Sequence, residues 1–355
     1  MEQNKLRFCS KCTMDGSCAE LVLDDQDICN FCHSATKALK EIELEKPNLD
    51  KWIKKIKEHG KGKKYDILVG ASGGVDSSTV LHYAVTLGLR PLVFSMDNGF
   101  QDPRADSNVL QIVEKLKIPF YRYVLDLKKF ADLQGAYLKA GVVNVEACYD
   151  NLLAGASYEM ASQYGIKYIL SGGNVASENC MPISWSFPSG DLVNMKDIYK
   201  KMTGKRLKGV KGSFPLFGTL SFNYYKHIKK IKVFYLLDYL NYNRKESEQM
   251  LIKTYNYQSC GGKHEENIFT RWFQAYYLYQ KFNIDKRKCF YSSLIQVNQM
   301  TRQEAMFLLT ASPVYPSLGI ESKVMGYPKR RHEDFKQDLW FGRISKLVRF
   351  FRRWT

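Results

Sequence analysis

The chain has 355 residues, 45% of them hydrophobic and 25% charged, a make-up that excludes general disorder and a length that suits two domains or one large domain with an attachment. No run of about 18 uncharged apolar residues offers a transmembrane helix, and the opening MEQNKLRFCSKC has no apolar core of a secretory signal, so the expected compartment is the cytoplasm. The net charge of +17 is uneven: residues 1–180 carry 22 Lys+Arg against 23 Asp+Glu, and residues 181–355 carry 31 against 13, so an anionic partner for the second half is expected.

Residues 1–36 read as a small metal-stapled module. Cys9, Cys12, Cys29 and Cys32 form C-x2-C, sixteen residues, then C-x2-C. Each pair can place two thiolates on one ion, and four sulfurs satisfy tetrahedral zinc. A structural Zn²⁺ is the expectation, with an iron–sulfur centre or a redox pair as alternatives. Cys18 is read as a bystander and His33 as a substitute ligand. A closed site of four thiolates keeps no open position, so it serves stability rather than catalysis. Residues 37–64 read as a helical linker with Leu39, Ile42, Trp52, Ile53 and Ile56 on its apolar side, broken near Pro47 and Asn48.

From Tyr65 to residue 180 the pattern is strand, turn, helix. YDILVGA predicts a buried parallel strand, SGGVDSS a turn, and TVLHYAVTLGL a helix with Leu81, Val85 and Leu89 on one face. PLVFSMD is a second strand, DSNVLQIVEKLK a helix, PFYRYVLDL a third strand, NLLAGASYEMASQYG a helix and KYILSGGN another strand. This alternation predicts an α/β fold with a doubly wound parallel sheet, whose ligands sit at the carboxyl ends of the strands. Residues 181–355 read as a basic, mostly helical substrate- or partner-binding region, FNYYKHIKKIKVFYLLDYLNY included. At its end Trp340, Ile344, Leu347, Val348 and Phe351 oppose Arg343, Lys346, Arg349 and Arg353 at helical spacing. That pattern suits docking on the rest of the protein or on a partner, or peripheral contact with an acidic membrane.

SGGVDSS lacks the lysine of a Walker loop but is an anion cradle in its own right. Gly73 and Gly74 let backbone N–H groups turn inward, Ser72, Ser77 and Ser78 add hydroxyls, and the following helix offers its positive end. Asp76 can hold Mg²⁺ or cap that helix.

With MDNGF (96–100) and SGGNVASE (171–178), SGGVDSS resembles the PP-loop of ATP pyrophosphatases, the adenine nucleotide alpha hydrolase type. CSKCTMD…CNFC, GGKHEENIFTRW and KFNIDKRKCFYSSLI…MTRQEA narrow the resemblance to the N-acetyl sugar amidotransferases, the WbpG-like family of surface-polysaccharide (lipopolysaccharide, O-antigen) and nonulosonic-acid biosynthesis, over roughly residues 8 to 310. Glu265 departs from the pattern, standing where an aromatic is expected after the histidine.

The resemblance implies an ATP-dependent, AMP- and pyrophosphate-forming carbon–nitrogen ligase that converts an acetamido group of a nucleotide-activated sugar to an acetamidino group. Ser72, Gly73, Gly74, Ser77 and Ser78 would hold the pyrophosphate, and Asp76 and Asp97 the Mg²⁺. Asn98, Gly172, Gly173 and Asn174 would line the nucleotide or the acceptor. Glu178, Lys263, His264, Lys286 and Arg287 would meet the substrate, and Asp76, Lys263, His264 and Arg287 are the catalytic candidates. Asp285 is read as a helix cap before KRK. Without a glutaminase nucleophile in the chain, ammonia is expected from a separate glutaminase with its synthase-like channel partner. The main rival is a PP-loop enzyme that thiolates tRNA, which the basic second half would suit but which needs cysteines near the adenylate; Cys148 and Cys180 form no short pair. A non-enzymatic zinc-ribbon module is the other, and the phosphate turn argues against it.

Overall fold

The structure is a computed structural model that describes residues 7–338; the amphipathic pattern at 340–353 lies outside them. The cysteine module leads into α1 (Asn30–Glu45) and α2 (Leu49–Gly60), joined by a single 3₁₀ turn at Lys46–Asn48. Proline at 47 fixes that break, having no N–H to continue the helix.

Five strands form one sheet: β1 (Ile67–Gly70), β2 (Pro91–Asp97), β3 (Phe120–Val124), β4 (Tyr168–Leu170) and β5 (Lys232–Phe234). Their order is β3-β2-β1-β4-β5 and every pairing is parallel. The crossovers are α3 (Val75–Thr86), α4 (Pro103–Leu116), α5 (Leu127–Ala140) and α6 (Ala147–Gln163). Because strand side chains alternate, β1 feeds two cores. Ile67 and Val69 pack with Val80 and Leu81 of α3 and Ile53 and Ile56 of α2. Leu68 packs on the other face with Leu152 and Ala156 of α6. All of these side chains are buried, so truncating Leu81 to alanine would cost about 2–5 kcal/mol.

The chain order reverses beside β1, with β2 on one side and β4 on the other. That switch point is where a crevice opens beyond the strand ends. Gly70 runs into SGGVDSS and Leu170 into SGGN, so both glycine turns stand there.

Three expectations change. FNYYKHIKKIKVFYLLDYLNY is not helical throughout: residues Tyr224–Ile228 form a π-turn, and Lys232–Phe234 is the edge strand β5. Three residues are too few to show a period of two, so the strand hides among aromatics. The helix after the phosphate turn stops at Thr86, and Leu89, expected on its apolar face, is buried beyond the turn. The helix α5 was not foreseen, although Asp126 caps it by accepting the Lys129 N–H.

After β4 come α7 (Val175–Glu178), α8 (Leu192–Thr203), α9 (Thr219–Asn223), α10 (Arg244–Tyr255), α11 (Ile268–Trp272), a π-helical stretch (Phe273–Lys281), α12 (Arg287–Gln296) and α13 (Arg302–Leu308). The second half is mostly helical, as expected, and it wraps the first. Asp15 pairs with Lys288 at 2.6 Å, Thr13 bonds Ser292 and the Lys288 carbonyl, and Arg302 donates to the carbonyls of Cys9 and Cys12. The cysteine module is therefore seated on α12 and α13.

Candidate functional site

The site grows from the turn after β1. Gly73 has φ +80°, and a Cβ there would lie 2.1 Å from the Ala105 carbonyl oxygen of α4, so no other residue fits without moving the helix. Gly172 packs against the same helix from the other turn, less tightly: a Cβ on it would stand 3.1 Å from the Ser77 backbone nitrogen. The two turns thus close on the head of α3, whose first N–H groups and positive dipole end face the crevice. Ser72 accepts from Gly74 N–H at 3.3 Å and lies 3.1 Å from the Ser77 hydroxyl, and Gln101 donates to the Ser72 carbonyl at 2.6 Å.

A second set of residues faces this turn from far along the chain. Lys263 Nζ reaches Asp76 at 2.5 Å, Glu178 at 3.1 Å and the Ser177 hydroxyl at 2.7 Å, with its side chain only 7% exposed. Tyr242 donates its hydroxyl to Asp76. Burial alone would raise the Asp76 carboxyl, but Lys263 and Tyr242 outweigh it and hold it below its ordinary value. Burial likewise would lower Lys263, and the Asp76 and Glu178 carboxylates overcome it and hold the ammonium charged. His264, in left-handed backbone at φ +63°, stands 3.6 Å from Glu178. Glu266 accepts from the Ser72 hydroxyl at 2.8 Å, and a Cβ on Gly74 would fall 2.9 Å from its carboxylate. A carboxylate already rests on the anion cradle.

Ser72, Gly74, Asp76, Lys263, His264 and Lys286 line one cavity of about 510 Å³, with Ser77, Gly172, Gly173 and Glu178 also on its surface. Other expected residues stand behind it. Ser78 is buried within α3. Asn174 caps α7 through the Ser177 N–H at 3.0 Å. Asn98 accepts from Phe100 N–H and Asn267, tying MDNGF to the segment that carries Lys263. Asp97 accepts from Gly99 N–H at 2.9 Å and does not line the cavity. Between Asp76 and Glu178 the cation present is the Lys263 ammonium. Arg287 is held by Asp285 at 2.6 Å and faces a neighbouring cavity. Asp285, expected as the cap, accepts the Arg287 N–H at 3.0 Å ahead of α12, as a capping carboxylate does, and also holds the Arg287 side chain.

Four contributors were not singled out from the sequence: Tyr242, Glu146, Arg244 and Glu266. Glu266 lay within the quoted GGKHEEN motif, so the signal was present. Tyr242 stands in an aromatic run without a distinguishing pattern. Glu146 lines the cavity, accepts from the Thr270 hydroxyl, and has its carboxyl pushed up to about 7 by burial and then by Asp150. Cys148 and Cys180 are buried away from the cavity, burial pushing both thiols up, whereas Cys260 does line it.

The cysteine quartet is assembled as its spacing implies. The four sulfurs lie within 4.8 Å of one another, with Cys9–Cys32 at 3.8 Å and Cys12–Cys29 and Cys29–Cys32 at 3.6 Å. Bonds of about 2.3 Å to one tetrahedral zinc put the sulfurs about 3.8 Å apart, so the quartet fits such an ion; in a cluster each thiolate would sit on its own iron. Gln296 of α12 donates to Cys32 Sγ at 2.9 Å, an outer contact of the kind that tunes metal thiolates. Among the described residues this is the one group of three or more metal-capable side chains, and no helix there is long and apolar enough to cross a membrane.

Residues 266–337 match the family "LPS biosynthesis protein WbpG-like, C-terminal domain". Among solved structures, the ammonia-dependent NAD synthetase of Campylobacter jejuni aligns at 14% identity and TM-score 0.29, over 39% of this chain and 58% of that one, so the likeness spans little more than half of that enzyme. The NMN synthetase of Francisella tularensis aligns at 12% identity and TM-score 0.29, over 59% of this chain and 99% of that one. The U34-tRNA thiolase NcsA of Methanococcus maripaludis, with its [4Fe-4S] cluster, aligns at 13% identity and TM-score 0.34, over 91% and 97%. Comparison with curated proteins yields no match. Residues 266–337, which include Glu266 of the cradle and Lys286 of the cavity wall, are thus similar to the C-terminal domain of WbpG-like LPS biosynthesis proteins.

Proposed function

We propose that the chain is an ATP-dependent amidotransferase that converts the acetamido group of a nucleotide-activated sugar to an acetamidino group in surface-polysaccharide or nonulosonic-acid biosynthesis. The observation that carries this reading is the seat for an anion at the switch point, where the head of α3 meets Lys263 and Glu266 across one cavity. The match of residues 266–337 to a WbpG-like domain supports the choice of reaction.

An amide carbonyl is a weak electrophile. Its oxygen would attack the α-phosphorus of ATP and expel pyrophosphate, forming an O-adenylyl imidate. Ammonia would then add to the carbon, and AMP would leave with the former carbonyl oxygen. The protein's part is positioning and charge stabilisation. Ser72, Gly74 and Ser77 would take the leaving pyrophosphate in place of the Glu266 carboxylate. Lys263 would balance the charge developing beside Asp76, and His264 is placed to accept a proton from the incoming nitrogen. Magnesium would arrive with the nucleotide, with Asp76 and Glu178, which share Lys263, as its carboxylates once Lys263 turns to phosphate. Ammonia would come from a separate glutaminase and its channel partner.

The test is incubation with ATP, ammonium and candidate nucleotide-sugars. AMP, pyrophosphate and an amidine product should form together, and glutamine alone should yield none. Turnover with glutamine alone would refute the separate ammonia source; failure to split ATP with any acceptor would remove the whole reading. The tRNA-thiolation alternative draws on Cys260, which lines the cavity. It requires Cys260→Ala to abolish turnover and RNA binding to weaken steeply with salt.

A further inference from the structure

A second cavity of about 530 Å³ adjoins the nucleotide cavity, and Arg244, Gly262, Lys263, Gln274 and Lys286 border both. Its floor is α12 with Phe290, Tyr291 and Leu294, and residues 311–314 face it. Most cations around it are already committed. Arg287 is paired with Asp285 and also donates to the Ala311 carbonyl at 2.9 Å, so it holds the facing loop in place. Arg271 is paired with Asp102 at 3.2 Å and Lys245 with Glu304 at 3.4 Å. Two are not. Arg244, at the head of α10, has only the Gly261 carbonyl at 3.2 Å. Lys286 lies over the rings of Phe273 and Phe290 at 5.7 and 6.0 Å. Neither makes an ion pair among the described residues. The carboxylates Asp285 and Glu304 of this wall are taken by Arg287 and Lys245, and half-buried cations that no carboxylate pairs favour an anionic ligand. Two cavities of similar size meeting at that wall suit a reaction with two co-substrates.

We infer that the second cavity binds the phosphorylated co-substrate, its phosphate held by Arg244 and Lys286 and its apolar part by Phe290, Tyr291 and Leu294. This rests on the proposed reading and assigns the acceptor site within it. Arg287, the cation expected from the sequence, shapes the site through the 311–314 loop and is replaced as phosphate ligand by Arg244. The ligand class is a phosphate ester: a nucleoside diphosphate compound or a simple sugar phosphate.

The test uses the full-length, metal-loaded protein saturated with α,β-methylene-ATP and titrated by calorimetry with UDP and, separately, with glucose 1-phosphate. At least one should bind on top of the ATP analogue. UDP binding assigns a nucleotide-linked co-substrate, and binding of glucose 1-phosphate alone assigns a sugar phosphate. Arg244→Gln should weaken that binding about tenfold or more. Ala275→Trp, which narrows only the second cavity, should abolish it while the ATP analogue binds as before. Competition between the probe and the ATP analogue, binding of neither probe, or unaltered binding in both variants would overturn the inference. Failure of the ATP analogue itself to bind would instead remove the underlying reading.

Discussion

The two sides of the nucleotide cavity are built on different scales. One side is a single stretch, Gly70 to Ser77, that offers backbone N–H groups and short hydroxyls. The facing side gathers Glu146, Glu178 and the Lys263–Glu266 loop from distant parts of the chain, with Tyr242 bonded to Asp76 behind them. The first is preorganised by backbone geometry and tolerates loss of one hydroxyl. The second is a coupled set of charges, in which removing one member strands the others. Function on the facing side should therefore be brittle, and on the turn side graded, except where a glycine is required.

The sharpest break should come from the cysteine quartet, which supports the facing side through Gln296, Lys288 and Arg302. Structural zinc contributes about 10 kcal/mol or more to folding in small zinc peptides. Cys12→Ser or chelation should release one metal equivalent and expose α12 amides to hydrogen exchange before those of β1 and α3. Simultaneous exposure of both sides would show that they are not separable.

Lys263→Met comes next. It takes from Asp76 and Glu178 the buried ammonium they share and should destabilise the protein by about 3–5 kcal/mol. Pyrophosphate release should fall by roughly 10² to 10³-fold. Adding Asp76→Asn should restore much of the melting temperature and none of the rate. Equal, additive losses would disprove the coupling.

On the turn side, Gly73→Ala should act through strain and the Ala105 contact, costing about 1–3 kcal/mol and most of the ATP affinity. Ser72→Ala should cost only about 1 kcal/mol. Calorimetric ATP binding separates them, and a Ser72 effect as large as that of Gly73 would contradict the backbone-built reading.

The smallest effect is that of Glu146. Its carboxyl is raised to about 7, by burial first and Asp150 second. A raised carboxyl gives its full contribution below its unfolded value and loses it as pH rises through about 7. Glu146→Gln should therefore gain thermal stability relative to the parent as pH passes from 5 to 8. A constant difference across that range would count against the shift.

Much of this was legible beforehand, for stated reasons. The cysteine spacing predicts the quartet because two short C-x2-C hairpins can meet only around a small centre. The β1 turn is legible because its residues are consecutive, and strand, glycines and helix each leave a local mark. The helical second half followed from its pattern as well. Strand β5 left no mark, being three residues long at the sheet edge. Arg287 and Asp285 were read separately, and their pairing takes Arg287 away from the substrate role expected of it.

Spacing along the chain thus determined the metal-capable quartet and the anion-binding turn, since covalent connectivity holds those groups near one another before any packing occurs. Tertiary structure alone decided that Lys263 meets Asp76 from 187 residues away, that Glu266 rests on Ser72, and that Arg287 rather than Arg244 has an ion pair among the described residues. Those choices depend on which helices pack against the sheet, and burial then makes each charge select a partner.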